Sequence, residues 1–199
     1  MAPLIRPIAL SIVLLSSAAQ VRDVDGAARD LFAPTGPANV LVFVASDCPI
    51  SNGYAPEIQR ICRDYRTKGV ACSLVYEDMS IGAARVRAHR DGYGYKGIAA
   101  VVDADGTIAE RAGATVTPQA VIVGPAGTVK YRGRIDNQYA ALGKPRRVVT
   151  VHDLRDSLDA LLAGRPIAQP ETEAFGCAIP KREPIESKKE QREPRRNAP

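Results

Sequence analysis

The sequence predicts an α/β domain, a central mixed β-sheet flanked by helices. Three observations lead there. Apolar, β-branched runs alternate with segments whose apolar residues recur at helical spacing. Several runs are continuously apolar, as strands covered on both faces are. The last two runs are joined only by "PAG", short enough for an antiparallel hairpin.

The elements follow in order. "NVLVFVA" (39–45) reads as a buried strand. From Ile50 the period changes: Ile50, Tyr54, Ile58, Ile61, Cys62 and Tyr65 line one side of a helix, closed by Lys68-Gly69. "VACSLVYE" (70–77) is a second strand, "SIGAARVRAHRDG" (80–92) a second helix and "IAAVVD" (98–103) a third strand ending in the turn "ADG". "QAVIVG" (119–124) and "TVKYRGRI" (128–135) form the hairpin. "HDLRDSLDALLAG" (152–164) is a final amphipathic helix that covers a sheet face. Periodicity alone leaves a flavodoxin-like or other doubly wound sheet open. The order β-α-β-α-β-β-α, with its late hairpin, favours a thioredoxin-like fold.

The termini differ from this body. Residues 1–19 carry one charge, Arg6, then the apolar stretch "IALSIVLLSSAA", which ends in small residues. These are the parts of a secretory signal peptide, and the apolar run is short for a stable membrane span. An uncleaved anchor is the alternative, and either arrangement places the domain outside the cytoplasm, periplasmic or secreted. Residues 181–199 hold seven Lys/Arg, four Asp/Glu and three prolines with one large aliphatic residue, Ile185. Such a segment buries too little surface to offset its chain entropy and reads as a charged disordered tail. The tail supplies +3 of the formal +5, so the domain at 20–180 is close to neutral and gives no sign of a nucleic-acid-binding face.

Four cysteines, Cys48, Cys62, Cys72 and Cys177, permit three pairings in an oxidising compartment, and the sequence does not select among them. With two histidines and no Cys-x-x-Cys, no metal site or cofactor is expected. Cys48 stands where the first strand ends and a helix begins, the position at which α/β sheets gather their chemistry. Unpaired N–H groups there favour a thiolate, so Cys48 is expected to react faster than Cys62 or Cys72. Pro49 suits the first helical turn. Ser51, three residues on, is placed for its hydroxyl to donate to the Cys48 sulfur. Thr117-Pro118 precedes the fourth strand, where thioredoxin-like folds carry a cis-proline facing the reactive cysteine. Cys62 and Cys72 are placed for a helix-to-strand bridge, and two buried free thiols fit equally well. Gly176 lets the backbone at Cys177 pass close to another element. A return of that segment toward Cys48 would supply the resolving thiol that Ser51 is not.

The stretches "DVDGAARDLF", "VLVFVASDCPISN", "YAPEI", "VVDADGTIAERAGATVTPQAVIVGPAGTVKYRGRIDNQY" and "ETEAFGCAI" together resemble the redoxin family. This is the thioredoxin-like branch that also holds the alkyl hydroperoxide reductase/thiol-specific antioxidant proteins. The resemblance covers about 21–180 and implies an antioxidant or disulfide-exchanging oxidoreductase. Cys48 would be its reactive thiol and Pro118 the cis-proline opposite. Its partners would be protein thiols and disulfides or a small peroxide, with an external thiol reductant. Two departures bear on this. Peroxiredoxins resemble Pro-x-x-x-Thr-x-x-Cys, and here Leu41 and Ala45 hold the proline and threonine places. Ser51 and Asn52 stand where thioredoxin-type reductases and copper chaperones carry a second cysteine. A peroxiredoxin-like peroxidase and a non-enzymatic binding or assembly module are therefore the alternatives.

Of the other polar residues, His89 reads as solvated among arginines and Arg134 as a surface arginine. Asp153 reads as a cap or first-turn anion beside His152.

Overall fold

A computed structural model describes residues 20–78 and 80–180. The leader at 1–19 and the tail at 181–199 lie outside the described residues. The chain opens with a two-residue antiparallel pair, β1 (Val21–Arg22) and β2 (Ala28–Arg29), then enters β3 (Asn39–Val44). Two helices follow, α1 (Pro49–Gly53) and α2 (Ala55–Arg66), then β4 (Ala71–Tyr76), α3 (Ala83–Gly92) and β5 (Ala99–Val102). A short helix α4 (Thr107–Ala112) leads to β6 (Val116–Thr117), β7 (Gln119–Val123) and β8 (Val129–Gly133). A small pair, β9 (Tyr139–Ala141) and β10 (Lys144–Pro145), precedes α5 (Asp153–Leu162), and β11 (Cys177–Ala178) comes last.

The main sheet has the order β5-β4-β3-β7-β8. β3, β4 and β5 are parallel, β7 runs antiparallel to β3, and β8 antiparallel to β7. β3 is buried throughout because it has a strand on each side and a core on each face. Its alternate residues divide accordingly: Val40, Val42 and Val44 enter one apolar cluster, Leu41 and Phe43 the other. Ile58, Ile61, Cys62 and Tyr65 of α2, Val86 of α3, and Leu154 and Leu158 of α5 fill the first cluster. Leu31, Phe32, and Ile108, Ala109 and Ala112 of α4 fill the second. Burial of this many side chains at about 1.5–3 kcal/mol each is the main term holding the layers together.

The helix expected from Ile50 to Lys68 is two helices. Pro56 has no N–H to bond the Asn52 carbonyl, so the ladder breaks at Tyr54. α2 ends at Arg66, and Gly69, at φ +80°, then turns the chain, with the Val70 N–H on the Tyr65 carbonyl. The helix expected at 80–92 begins at Ala83. α4 was not expected from the sequence: six residues are too few for a periodic signal. It is held by Asp103, whose carboxylate accepts the Ile108 and Ala109 N–H groups at 3.2 and 2.8 Å.

Cys62 and Cys72 form a disulfide joining α2 to β4, with Cα atoms 5.7 Å apart. Arg134 and Asp153 form a partly buried ion pair at 2.7 and 3.2 Å, bracing the end of β8 against the start of α5. Arg134 is thus committed to a structural partner, and Asp153 is an ion-pair anion in the first turn of α5.

The bridge closes a span of ten residues. By loop-closure entropy it stabilises the fold by about 2.5–3 kcal/mol. A Cys62→Ala/Cys72→Ala double variant is expected to lose about that much in urea unfolding. A loss below about 1 kcal/mol would show that the link contributes little.

Candidate functional site

β3 leads into the loop 45–48, which is fixed from three directions. The Ser46 N–H donates to Asp78 Oδ2 (3.0 Å), the Cys48 N–H donates to the Ala45 carbonyl (3.2 Å), and Asn52 Nδ2 donates to the Ser46 carbonyl (3.0 Å). Asn52 therefore presents Oδ1 as an acceptor, and His89 Nε2 meets it at 2.9 Å. His89 Nε2 must carry the proton, which leaves Nδ1 to accept from the Tyr76 hydroxyl at 2.9 Å. Burial holds the His89 imidazole below its ordinary pKa, against a smaller opposing pull from Asp78. His89 is not the solvated residue expected from its arginine-rich neighbourhood. It links β4 to the cysteine loop through Asn52. The signal in the sequence was Asn52 itself, an amide one turn past Cys48 that needs a partner once half-buried.

The Thr117–Pro118 bond is cis, and both residues are buried. Cys48 Sγ donates to the Thr117 carbonyl at 3.2 Å. β11 pairs antiparallel with β6, setting Cys177 opposite Thr117 and Ala178 opposite Val116. That register carries Cys177 Sγ to 2.7 Å from Cys48 Sγ. The structure thus brings four residues singled out in the sequence, Cys48, Thr117, Pro118 and Cys177, to one place, with Ser51 in the helical turn beside them.

Two details add to the sequence expectation. Cys48, expected to react faster than Cys62 and Cys72, is fully buried and lies beneath the exposed Cys177. The Ser51 hydroxyl is buried and lacks a full hydrogen bond among the described residues. It lies near enough to the sulfur to favour the anion.

The two thiols are electrostatically unlike. Burial pushes Cys48 up, but hydrogen bonds from the Cys177 thiol, the Ser51 N–H and the Cys177 backbone, with the Ser51 hydroxyl close by, outweigh it. The net result lies below the ordinary cysteine value. Cys177 is pushed up to about 11, by burial, by its bond to Cys48 and by the charge Cys48 takes on. The pair therefore ionises first at Cys48 and retains one proton on Cys177.

Near α1, the Tyr54 hydroxyl donates to Asp136 Oδ1 at 2.8 Å, and Tyr139 packs against Tyr54 with ring centroids 5.6 Å apart. Burial raises the Asp136 carboxyl despite bonds from Gln138 N–H and Tyr54. Nothing in the sequence pattern marked this group.

Among the described residues no cluster of three His, Cys, Asp or Glu side chains is arranged to hold a metal. No described helix is long and apolar enough to cross a membrane. A hollow of ≈ 530 Å³ between α5 and residues 165–169 contains none of the cysteines. The candidate site is a close sulfur–sulfur contact between the N-cap of α1 and β11.

No protein-family model matches the chain, and no curated protein matches it. Solved structures do. A hypothetical protein of Sinorhizobium meliloti superposes with a TM-score of 0.69 at 26% identity, covering 81% of this chain and 91% of that one. A secreted disulfide oxidoreductase of Mycobacterium tuberculosis, homologous to Escherichia coli DsbE, gives 0.51 at 18%, covering 74% and 96%. A thioredoxin-like protein of Aeropyrum pernix gives 0.51 at 16%, covering 74% and 89%. The chain has a thioredoxin-like fold.

The thiol asymmetry has a measurable sign. Thiolate absorbance of the reduced site, with Cys62–Cys72 intact, should rise in two steps, one below the usual ~8.5 and one near 11. Between the depressed Cys48 value and ~8.5 the unfolded chain binds more protons, so stability of the reduced site rises with pH. From ~8.5 to about 11 the Cys177 contribution reverses that slope. A single step at the ordinary value would remove the basis for the asymmetry.

Proposed function

We propose that the chain is an exported thiol–disulfide oxidoreductase of redoxin type, with Cys48 as the attacking thiol and Cys177 as the resolving one. The observation that carries this reading is the 2.7 Å approach of a depressed-pKa thiol and a second thiol beside a cis X-Pro turn. Cys48 attacks a sulfur of a partner disulfide. The partner S–S bond breaks, and the electron pair leaves on the partner's second sulfur, which takes a proton. Cys177, deprotonated, then attacks Cys48 Sγ and releases the partner's remaining thiolate. The chain is left with a Cys48–Cys177 disulfide, which an external thiol reductant reopens. Thr117 and Pro118 shape the contact surface, and Ser51 favours the Cys48 thiolate. The apolar leader at 1–19 supports export, as does likeness to a secreted M. tuberculosis protein. The domain at 20–180 would then act in the periplasm or outside the cell, with the tail at 181–199 as a solubilising extension.

The peroxidase reading has less behind it. Ala45 offers no hydroxyl where a peroxide-activating threonine would stand, and Cys48 has no open approach for a small oxidant.

Mild oxidation of the reduced protein should yield a Cys48–Cys177 disulfide by peptide mapping. Cys48→Ser should abolish disulfide exchange. Cys177→Ser, given a small disulfide, should stall with Cys48 in mixed disulfide with one half of it, the other half leaving as a thiol. Free Cys177 in a wild-type protein that still turns over would refute its resolving role.

A further inference from the structure

β11 is an unusual neighbour for β6. After α5 the chain runs along β8: the Arg132 N–H donates to the Pro170 carbonyl (2.9 Å), and the Thr172 N–H to the Arg132 carbonyl (3.1 Å). The Thr172 hydroxyl accepts the Arg134 N–H at 3.1 Å and meets the Tyr131 hydroxyl at 2.7 Å. The chain then crosses to the turn that carries the cis-proline. There it lies extended: Cys177 opposite Thr117, Ala178 opposite Val116, and the Ile179 N–H on the Thr115 carbonyl at 2.9 Å. The Thr117 hydroxyl points to the Cys177 carbonyl at 3.4 Å. Ile179 is seated against the second apolar cluster. Gly176 falls opposite Pro118, and a Cβ there would run into the Thr117 carbonyl. Its φ lies outside the left-handed region, so the constraint on this residue is space alone.

This is the geometry of a peptide laid on a strand edge, with its cysteine delivered to Cys48. We propose that residues 176–179 are a built-in substrate mimic. On this view protein partners dock on the same β6 edge as an extended, cysteine-bearing segment, with glycine immediately before the reacting cysteine, and they enter by exchanging places with β11. The inference rests on the thiol–disulfide reading and names its substrate class. The edge of β6 holds one strand at a time. While β11 is in place Cys48 is inaccessible; when β11 lifts, Cys48 can attack the partner's disulfide as written above. When the partner's segment, still disulfide-linked to Cys48, comes off the β6 edge, β11 returns with Cys177, which attacks Cys48 Sγ and releases the partner as its thiolate. Exchange of strands therefore orders the two chemical steps.

Two arms test this in the full chain. In the first, the reduced site is treated with iodoacetamide and Cys48 labelling is followed by mass spectrometry, with Cys62–Cys72 intact. Gly176→Ala, which fills the close approach, and Ile179→Asp, which removes the apolar seat, should each speed Cys48 labelling about tenfold or more over wild type. Far-UV circular dichroism equal to wild type accompanies each measurement. In the second arm, the Cys177→Ala chain reacts with thiopyridyl-activated peptide copies of residues 174–179. The natural Gly-Cys peptide should form its mixed disulfide about tenfold or more faster than a Val-Cys copy. Wild-type labelling rates in both variants, or equal rates for the two peptides, would overturn the proposal. Both arms read strand exchange at Cys48 and need no turnover. Absence of a Cys48–Cys177 disulfide on oxidation would instead count against the thiol–disulfide reading.

Discussion

The double-sided burial of β3 is the constraint from which the rest of the molecule follows. A strand buried on both faces has no solvent side, so its residues alternate between two separate cores. Both cores must then be roofed, one by α2, α3 and α5, the other by α4 and the segment at residues 31–32. The strand must also have neighbours on both edges for its backbone groups, and β4 and β7 supply them from opposite directions. The parallel neighbour requires a crossover, and that crossover is α1–α2. Cys48 sits at the point where the crossover begins, and the cis-proline turn enters beside it because β7 runs the other way. The candidate site is thus a product of one parallel and one antiparallel neighbour meeting at a single strand end.

Much of this was legible because it repeats. Five consecutive apolar residues at 40–44 and the helical spacing of Ile58, Ile61, Cys62 and Tyr65 are local patterns, and the elements they mark are present. Cys48, Pro118 and Cys177 could be singled out by residue type and by place between elements. What resisted reading depends on contacts between segments far apart. α4 owes its start to Asp103, and its own six residues carry no period. The role of His89 exists only once β4, α3 and α1 are assembled, since Tyr76 and Asn52 come from different elements. The burial of Cys48 was not legible for the same reason. Its cover comes from a segment 129 residues away.

Charge and access are divided between the two thiols. Cys48 holds the lower pKa under cover, and Cys177 holds the higher pKa in the open. A thiolate that is stabilised but shielded is protected from indiscriminate oxidation, since reactivity needs both the anion and a path to it. The shield is a hydrogen-bonded strand with few buried contacts of its own, the kind of element that opens at low free-energy cost. Stability of the domain and readiness of the site are consequently set by different parts of the chain.

The spacing of the cysteines also bears on how the chain acquires its covalent links. Cys62 and Cys72 are ten residues apart, whereas Cys48 and Cys177 are 129 apart. In an unfolded chain the longer loop costs about 2 kcal/mol more entropy to close. Random encounter therefore favours the helix-to-strand bridge early in oxidative maturation. The distant pair depends on a finished sheet to bring its sulfurs together. The Cys62–Cys72 link can thus form from local collisions, whereas the Cys48–Cys177 contact waits for the native fold.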